Sequence, residues 1–100
     1  MGKNGYEKSV LQTKDGECYI CGKSGPTERH EVFPAAMRDK SKRLGAWVAL
    51  CPYCHRMAPW SPHQSEKDRL QLQQEAQRAV MKARKWTTAD WMREFYKSYL

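Results

Sequence analysis

The sequence contains no long apolar run: none of its hydrophobic stretches approaches the roughly 18 residues that a membrane-spanning helix requires. Its start, MGKNGYEKSV, lacks the apolar core of a secretory signal peptide. No internal repeat and no low-complexity segment is present. We therefore expect a cytoplasmic protein without a membrane partner, in which thiols stay reduced and paired cysteines more often bind metal than form disulfides.

Acidic residues are scarce, with 11 Asp and Glu against 18 Lys and Arg, so the formal net charge is +7. This balance favours a polyanionic partner, nucleic acid before an anionic membrane surface. Hydrophobic residues make up 40% of the 100-residue chain, which is enough for one modest core. Residues 1–16 are polar and glycine-rich, which predicts a flexible segment anchored through Tyr6, Val10 and Leu11. We expect one folded domain over residues 17–100, and no pattern indicates an oligomeric state.

Two short strands are predicted between the cysteine pairs, which makes the expected fold class α+β. Residues 28–33 alternate between polar and apolar side chains, and residues 47–50 are rich in β-forming types. Between them, residues 35–45 carry the basic run RDKSKR in a loop or a short helical turn. Pro52 suits the first position of a short helix that follows the second strand.

Two further helices are predicted in the C-terminal part of the chain. Ser65 and Asp68 have the spacing of a helix cap, and apolar residues then recur every three or four positions to about Arg84. Thr87 and Asp90 have the same spacing before a final helix with a bulky aromatic face. These helices would follow the core that contains the two strands.

The four cysteines form two C-x2-C pairs, Cys18 with Cys21 and Cys51 with Cys54, with 29 residues between the pairs. Each two-residue spacer lets both sulfurs of a pair face one ion, and four thiolates complete a tetrahedral zinc site. The alternatives are two disulfides or free buried thiols. Because zinc with four cysteine ligands has no open position, any catalytic chemistry must lie elsewhere.

A second cluster is predicted from the three histidines, His30, His55 and His63, which lie between the cysteine pairs or just after them. The zinc would bring His30 and Glu31 near His55, and His63 would reach in from a proline-bounded loop. Imidazoles and a carboxylate can bind Mg²⁺, Mn²⁺, Ni²⁺ or a catalytic Zn²⁺. The alternative is that His55 is an extra zinc ligand or a helix cap, and that the other two histidines are surface residues.

The order of these motifs resembles that of the HNH (His-Me finger, ββα-metal) nucleases. The resemblance covers about residues 17–64 and rests on the first CxxC, ERHEVF, the strand-to-helix turn WVALCPYCH and a further histidine. It is closest to small zinc-knuckle versions encoded by bacteriophages. It implies a zinc-stabilised ββα-metal core, followed here by two C-terminal helices, that binds one divalent ion and hydrolyses nucleic acid in a bacterial or phage-infected cell.

Carried over by position, the resemblance makes His30 an ion ligand and Glu31 the general base, with the two later histidines as further ligands. The sequence departs from the family at two places. Glu31 stands where the base is normally histidine, and Ala46 stands near the family's asparagine. In a second arrangement Glu31 binds the ion and His30 is the base. In a third, a regular strand places Glu28 and His30 on one face and excludes Glu31.

The basic residues provide candidate contacts to phosphate groups. Those of the RDKSKR run are Arg38, Lys40, Lys42 and Arg43. Those of the long helix are Arg78, Lys82, Arg84 and Lys85. Trp60, between two prolines, is predicted to cover the zinc knuckle, with base stacking as the alternative.

The leading prediction is a metal-dependent endonuclease that acts on nucleic acid, DNA in the first place. Its base would activate water while a divalent ion stabilises the phosphate and the leaving oxygen. One alternative is a zinc-knuckle nucleic-acid-binding or adaptor protein without catalytic activity, as the two departures from the family would suggest. Another is a structural module that uses its aromatic C-terminal helix for interactions.

Overall fold

The computed structural model describes residues 5–14 and 16–100. Two antiparallel strands and several helices make the fold α+β, as the sequence predicts. In chain order the elements are β1 (Glu28–Glu31), a 3-10 turn (Ala35–Met37), α1 (Arg38–Arg43), β2 (Trp47–Leu50), a π-helical turn (Tyr53–Met57), α2 (Glu66–Arg84) and α3 (Thr88–Phe95). No helix in this described part of the chain is long and apolar enough to cross a membrane.

The two strands pair in a register that places His30 opposite Val48 and Glu28 opposite Leu50. Val48 and Leu50 are fully buried, because β2 alternates between a core face and an outer face. The first strand is shorter than predicted and ends at Glu31. The N–H of Val32 still donates to the Ala46 carbonyl at 3.0 Å, whereas the N–H of Phe33 donates to Ser41. Both side chains enter the core, which accounts for the apolar run at the end of the predicted strand.

A buried serine holds the end of β1 against the start of β2. Ser41, in α1, is fully buried, and its Oγ accepts a hydrogen bond from the backbone N–H of Phe33 at 3.1 Å. The same hydroxyl donates to the carbonyl of Ala46 at 2.6 Å. One short helix therefore closes the loop between the strands.

The N-terminal segment crosses the turn between α1 and β2. The N–H of Glu7 donates to the carbonyl of Lys42, and that of Val10 to the carbonyl of Gly45, both at 2.9 Å. Gly45 has a φ of +73°, and a Cβ there would lie 2.2 Å from the Lys8 carbonyl oxygen. The crossing therefore requires glycine at this position.

The segment's predicted anchors, Tyr6, Val10 and Leu11, all contact the rest of the fold. Tyr6 packs edge-on against a tryptophan ring of β2, and the other two pack against the core. The prediction of flexibility for residues 1–4 and 15 lies outside the described residues.

Both C-terminal helices begin at the predicted caps, and α2 ends at Arg84 as predicted. At the start of α2, Ser65 Oγ accepts from the N–H of Asp68 at 3.2 Å. At the start of α3, the Thr87 N–H donates to the Asp90 carboxylate and the Asp90 N–H donates to the Thr87 hydroxyl, which is a complete capping box. These signals lie within one turn of the backbone they cap, so the local sequence is sufficient to predict them.

Phe33 links the strands to the helical part of the core. It is 1% exposed, and its ring centroid lies 5.4 Å from that of Trp91, 4.9 Å from that of Phe95 and 5.1 Å from that of Tyr99. Edge-to-face and tilted contacts at these distances add to the hydrophobic stabilisation. α3 is thereby positioned against the end of β1.

We expect the substitution Ser41→Ala to lower the free energy of unfolding by about 1–3 kcal/mol, because the buried N–H of Phe33 loses its acceptor. Urea denaturation of the zinc-loaded protein measures this. Ser24→Ala, at an exposed serine, is the matched control and should change stability by no more than about 0.5 kcal/mol. Equal urea midpoints for Ser41→Ala and wild type would show that this bridge is dispensable.

Candidate metal centres

The four cysteines come together as the sequence predicts. The sulfurs of Cys18, Cys21, Cys51 and Cys54 all lie within 4.8 Å of one another, so they can hold a structural metal ion such as zinc. All four are free thiols, and the alternative of two disulfides is not observed. The first pair sits on a tight turn in which the N–H of Gly22 donates to the carbonyl of Cys18 at 2.8 Å.

Burial and hydrogen bonding give the thiols of this cluster different proton affinities. Burial raises the pKa of Cys54 to about 12. Burial also raises the pKa of Cys18, but backbone hydrogen bonds from Cys21 and Cys51 outweigh it and lower the value to about 6. Four crowded thiols cannot all ionise without a compensating cation, which a divalent metal supplies.

Trp60 covers one sulfur of this cluster, as predicted. Its indole Nε1 donates to Cys54 Sγ at 3.4 Å, and its ring meets that of Tyr53 edge-on, with centroids 5.9 Å apart. Trp60 is 41% exposed, so it covers the cluster only in part.

The three histidines form a second cluster, although they come from three parts of the chain. His30 lies on β1, His55 on the π-helical turn and His63 in the loop before α2. One ring nitrogen from each lies within 4.8 Å of the others, and the Nε2 atoms of His55 and His63 are 3.1 Å apart. Such a group can bind a divalent ion.

The π-helical turn positions residues of both clusters. Cys54 belongs to the sulfur group, while its neighbour His55 belongs to the histidine group. The wide i to i+5 bond of this turn joins the N–H of Ala58 to the carbonyl of Tyr53 at 2.8 Å. Single π-helical turns of this kind are frequent at functional sites.

Glu28 orients one of the three imidazoles. His55 Nδ1 is 2.8 Å from Glu28 Oε1, and Arg56 Nε donates to the same oxygen at 3.0 Å. The hydrogen bond with His55 and the charge of Arg56 hold the pKa of Glu28 below its usual value. A carboxylate acceptor fits the tautomer with the proton on Nδ1, which leaves the His55 Nε2 lone pair for an ion.

Glu31, the fourth predicted ion ligand, lies outside the histidine group. Its carboxylate accepts a hydrogen bond from Arg38 Nε at 2.5 Å. Burial raises the pKa of Glu31, but hydrogen bonds from Tyr6 and Arg38 outweigh this and hold it below the usual range. Because β1 is regular as far as Glu31, alternate side chains share a face, and Glu28 joins His30 instead. For the ion ligands this corresponds to the third of the three arrangements that the sequence left open, although Glu31 still lines the cavity beside the histidines.

The histidines open onto a cavity of about 580 Å³. Three arginines, Arg29, Arg38 and Arg69, line it together with the histidines and Glu31. Arg69 reaches it from α2 and donates to the carbonyl of Pro62 at 3.1 Å. The lining is therefore rich in positive charge and suits an anionic ligand. Sequence patterns gave no indication of Arg69, because only the packing of α2 brings it here.

The environment of His30 favours its neutral form. Burial, reinforced by the neighbouring imidazoles of His55 and His63, lowers the pKa of His30 to about 4. Burial also lowers the pKa of His63. Neutral imidazoles bind metal, and three of them without a carboxylate suit Zn²⁺ or Ni²⁺ better than Mg²⁺.

The four cations of the RDKSKR run have different environments. Arg38 lines the cavity, and the Lys42 ammonium lies 5.1 Å from the centroid of the Tyr6 ring. The Lys40 ammonium donates to the backbone carbonyl of Glu94, and the exposed Arg43 accepts a hydrogen bond at its carbonyl from α2. The run is thus not one continuous surface.

We expect purified protein to contain one tightly bound zinc ion per chain, and Cys54→Ser to lose it. Structural zinc sites contribute an apparent binding free energy of about 10 kcal/mol or more, so the variant should also unfold at lower temperature. Elemental analysis and thermal denaturation measure the two effects. His63→Ala, which alters only the histidine group, should keep this zinc. Unchanged zinc content in Cys54→Ser would contradict the assignment.

We expect His30 to remain neutral at pH 5 in zinc-loaded protein without another divalent ion. Its folded pKa of about 4 lies below the ordinary 6.5, so the unfolded chain binds more protons between these values. This contribution to stability is complete above about pH 6.5 and is lost as pH falls towards 4. NMR titration of the imidazole nitrogens tests it, and a His30 midpoint near 6.5 would contradict it.

No protein-family model, curated protein or solved structure matches the chain. The donor atoms and geometry of the two clusters are therefore the basis for assigning a function. Four sulfurs suit a structural ion, whereas three imidazoles beside an open cavity suit an ion with a position left for water or substrate.

Proposed function

We propose that the chain is a metal-dependent endonuclease of the HNH (His-Me finger, ββα-metal) type that hydrolyses phosphodiester bonds of nucleic acid, DNA in the first place. The observation that carries this proposal is the convergence of His30, His55 and His63 on one point beside a cavity lined by arginines. A metal-ligand group and an anion-attracting lining are the two requirements of such a reaction.

The surrounding elements support the proposal. Two antiparallel strands and a helical turn after the second strand surround the histidines, which is the arrangement that the sequence resemblance implies. The four cysteines join the two ends of this unit. Cys54 belongs to the sulfur cluster and the adjacent His55 to the histidine cluster, so one turn contributes to both candidate metal groups.

The residues at the cavity would have different roles in hydrolysis. The three histidines would hold the divalent ion, and Glu28 would keep His55 in the correct tautomer and orientation. When bound, the ion supplies positive charge that stabilises the phosphate and the leaving oxygen. The guanidinium group of Arg69 would hold oxygens of this phosphate, because its planar donor pair matches their geometry.

Glu31 is the candidate general base. It is the one carboxylate among the cavity-lining residues in the described part of the chain. It would accept the proton of the attacking water at its carboxylate oxygen. Its hydrogen bonds from Tyr6 and Arg38 keep its pKa low, so it is a weaker base than the family's histidine and turnover should be slow.

A second function, nucleic-acid binding without cleavage, is favoured by that same ion pair. The pairing of Glu31 with Arg38 satisfies the carboxylate within the protein and reduces its tendency to take a proton from water. In this case the arginine-lined cavity would serve binding alone.

We expect the zinc-loaded protein to nick supercoiled plasmid, with Ni²⁺ or Mn²⁺ supporting more activity than Mg²⁺. Glu31→Gln should lower the rate about 100-fold or more if it removes the general base. His30→Ala should abolish nicking because the ion loses a ligand. Glu66→Gln, at an exposed carboxylate of α2, is the matched control and should leave the rate unchanged.

The conversion of supercoiled to open-circular plasmid measures these rates, and zinc content with thermal denaturation checks that each variant is folded. Absence of nicking with every ion, while DNA is still bound, would reject the nuclease and leave the binding protein. Full activity of Glu31→Gln would show that another group takes the proton.

A further inference from the structure

A group of positively charged side chains surrounds the ring of Tyr6 at the edge of the histidine cavity. The guanidinium carbon of Arg29 lies 4.5 Å from the ring centroid, and the ammonium of Lys42 lies 5.1 Å from it. The ring of Trp47 meets Tyr6 edge-on at 5.6 Å and lies 5.4 Å from the same Arg29 carbon. These are cation–π distances, so the aromatic rings hold the cations in place.

Arg38 completes this group through the other end of Tyr6. The Tyr6 hydroxyl interacts with Glu31 and Arg38, which both affect its pKa, and Arg38 Nε donates to Glu31. The Arg38 side chain is 61% exposed, and a guanidinium has five N–H donors, so donors remain for another anion. The N-terminal segment, β1 and α1 thus converge on one ring.

Among the described residues that these contacts join, three cations meet one carboxylate. Arg29, Arg38 and Lys42 are gathered around one ring, and Glu31 is the carboxylate paired with them. Cations held this close repel one another unless an anion lies between them. Such an arrangement is typical of a site that binds phosphate.

The position of the group indicates which phosphate it would take. Arg29 and Arg38 also line the cavity onto which the three histidines open. A polynucleotide strand carries phosphates at regular intervals, so a strand with one phosphate at the histidines has another nearby. Because two of its cations line the same cavity as the histidines, the group is a candidate to bind that neighbouring phosphate.

We propose that Arg29, Arg38 and Lys42, held by the ring of Tyr6, form a subsite for a backbone phosphate of a polynucleotide, beside the phosphate at the histidine cluster. The identity of the ligand as nucleic acid rests on the proposed function. The subsite itself is a binding site and requires no cleavage.

This subsite divides the basic run of α1 into two parts. Arg38 and Lys42 are four residues apart and lie on the same face of the helix. Lys40 lies on another face, where its ammonium is 4.9 Å from the centroid of the Tyr96 ring. Lys40 and Arg43 are therefore matched controls from the same run, with the same charge and a different position.

The test is the salt dependence of binding to a short duplex DNA by the zinc-loaded protein without another divalent ion. Fluorescence anisotropy between about 50 and 200 mM salt gives the slope of log K against log salt concentration. We expect Arg29→Gln and Lys42→Gln each to reduce the magnitude of this slope by about 1, the loss of one phosphate contact. Lys40→Gln and Arg43→Gln should leave it unchanged.

Tyr6→Leu distinguishes a built subsite from a diffuse basic surface, because it removes the ring and keeps every charge. We expect this variant to reduce the slope as the charge removals do, while Tyr6→Phe, which keeps the ring, retains most of the wild-type slope. Thermal denaturation confirms that both are folded. A wild-type slope in Tyr6→Leu, or equal losses from all four charge variants, would overturn the proposal.

Two further arms identify the ligand. An RNA duplex of the same sequence shows which polynucleotide supplies the phosphate. Binding to phosphatidylserine vesicles, lost in Arg29→Gln and Lys42→Gln, without binding to either duplex would overturn the assignment to a polynucleotide. The subsite requires no cleavage, so failure of plasmid nicking would reject the nuclease and leave the subsite standing. Salt slopes that differ from those expected for the variants would reject the subsite and leave the nuclease standing.

Discussion

The crowding of four sulfur atoms is the constraint on which the rest of the structure depends. Three of the four cysteines are buried, and their thiolates cannot share this space without a cation such as zinc. The cluster joins the turn at Cys18 to the π-helical turn after β2. His55 lies on that same turn, beside Cys54, so the geometry of the histidine cluster follows from that of the sulfur cluster.

Side chains on alternate faces of β1 belong to two different groups, the histidine cluster and the cation-rich group around Tyr6. On one face of β1, His30 and Glu28 reach the histidine cluster, where Glu28 binds the ring of His55. The next carboxylate along β1, that of Glu31, interacts with Arg38 and Tyr6 instead. A metal-ligand group and a cation-rich group therefore lie at one cavity.

Several features of the fold could be predicted because their causes are local. The caps at Ser65 and Thr87 act within one turn, so the starts of α2 and α3 follow from neighbouring residues. The end of β1 was placed too late, because Val32 and Phe33 have the apolar pattern of a strand. Contacts with α3 draw Phe33 out of the ladder, and these contacts are remote in the sequence.

The sequence by itself determined the paired cysteines, the two strands, the helix caps and the three histidines as candidate ligands, because spacing and residue type suffice for each. Only the tertiary structure decided that Glu28 and not Glu31 accompanies the histidines, and that Arg69 enters their cavity. It also decided that the basic run divides between two faces of α1. The physical reason is that these placements depend on strand register and helix packing between residues far apart in the chain.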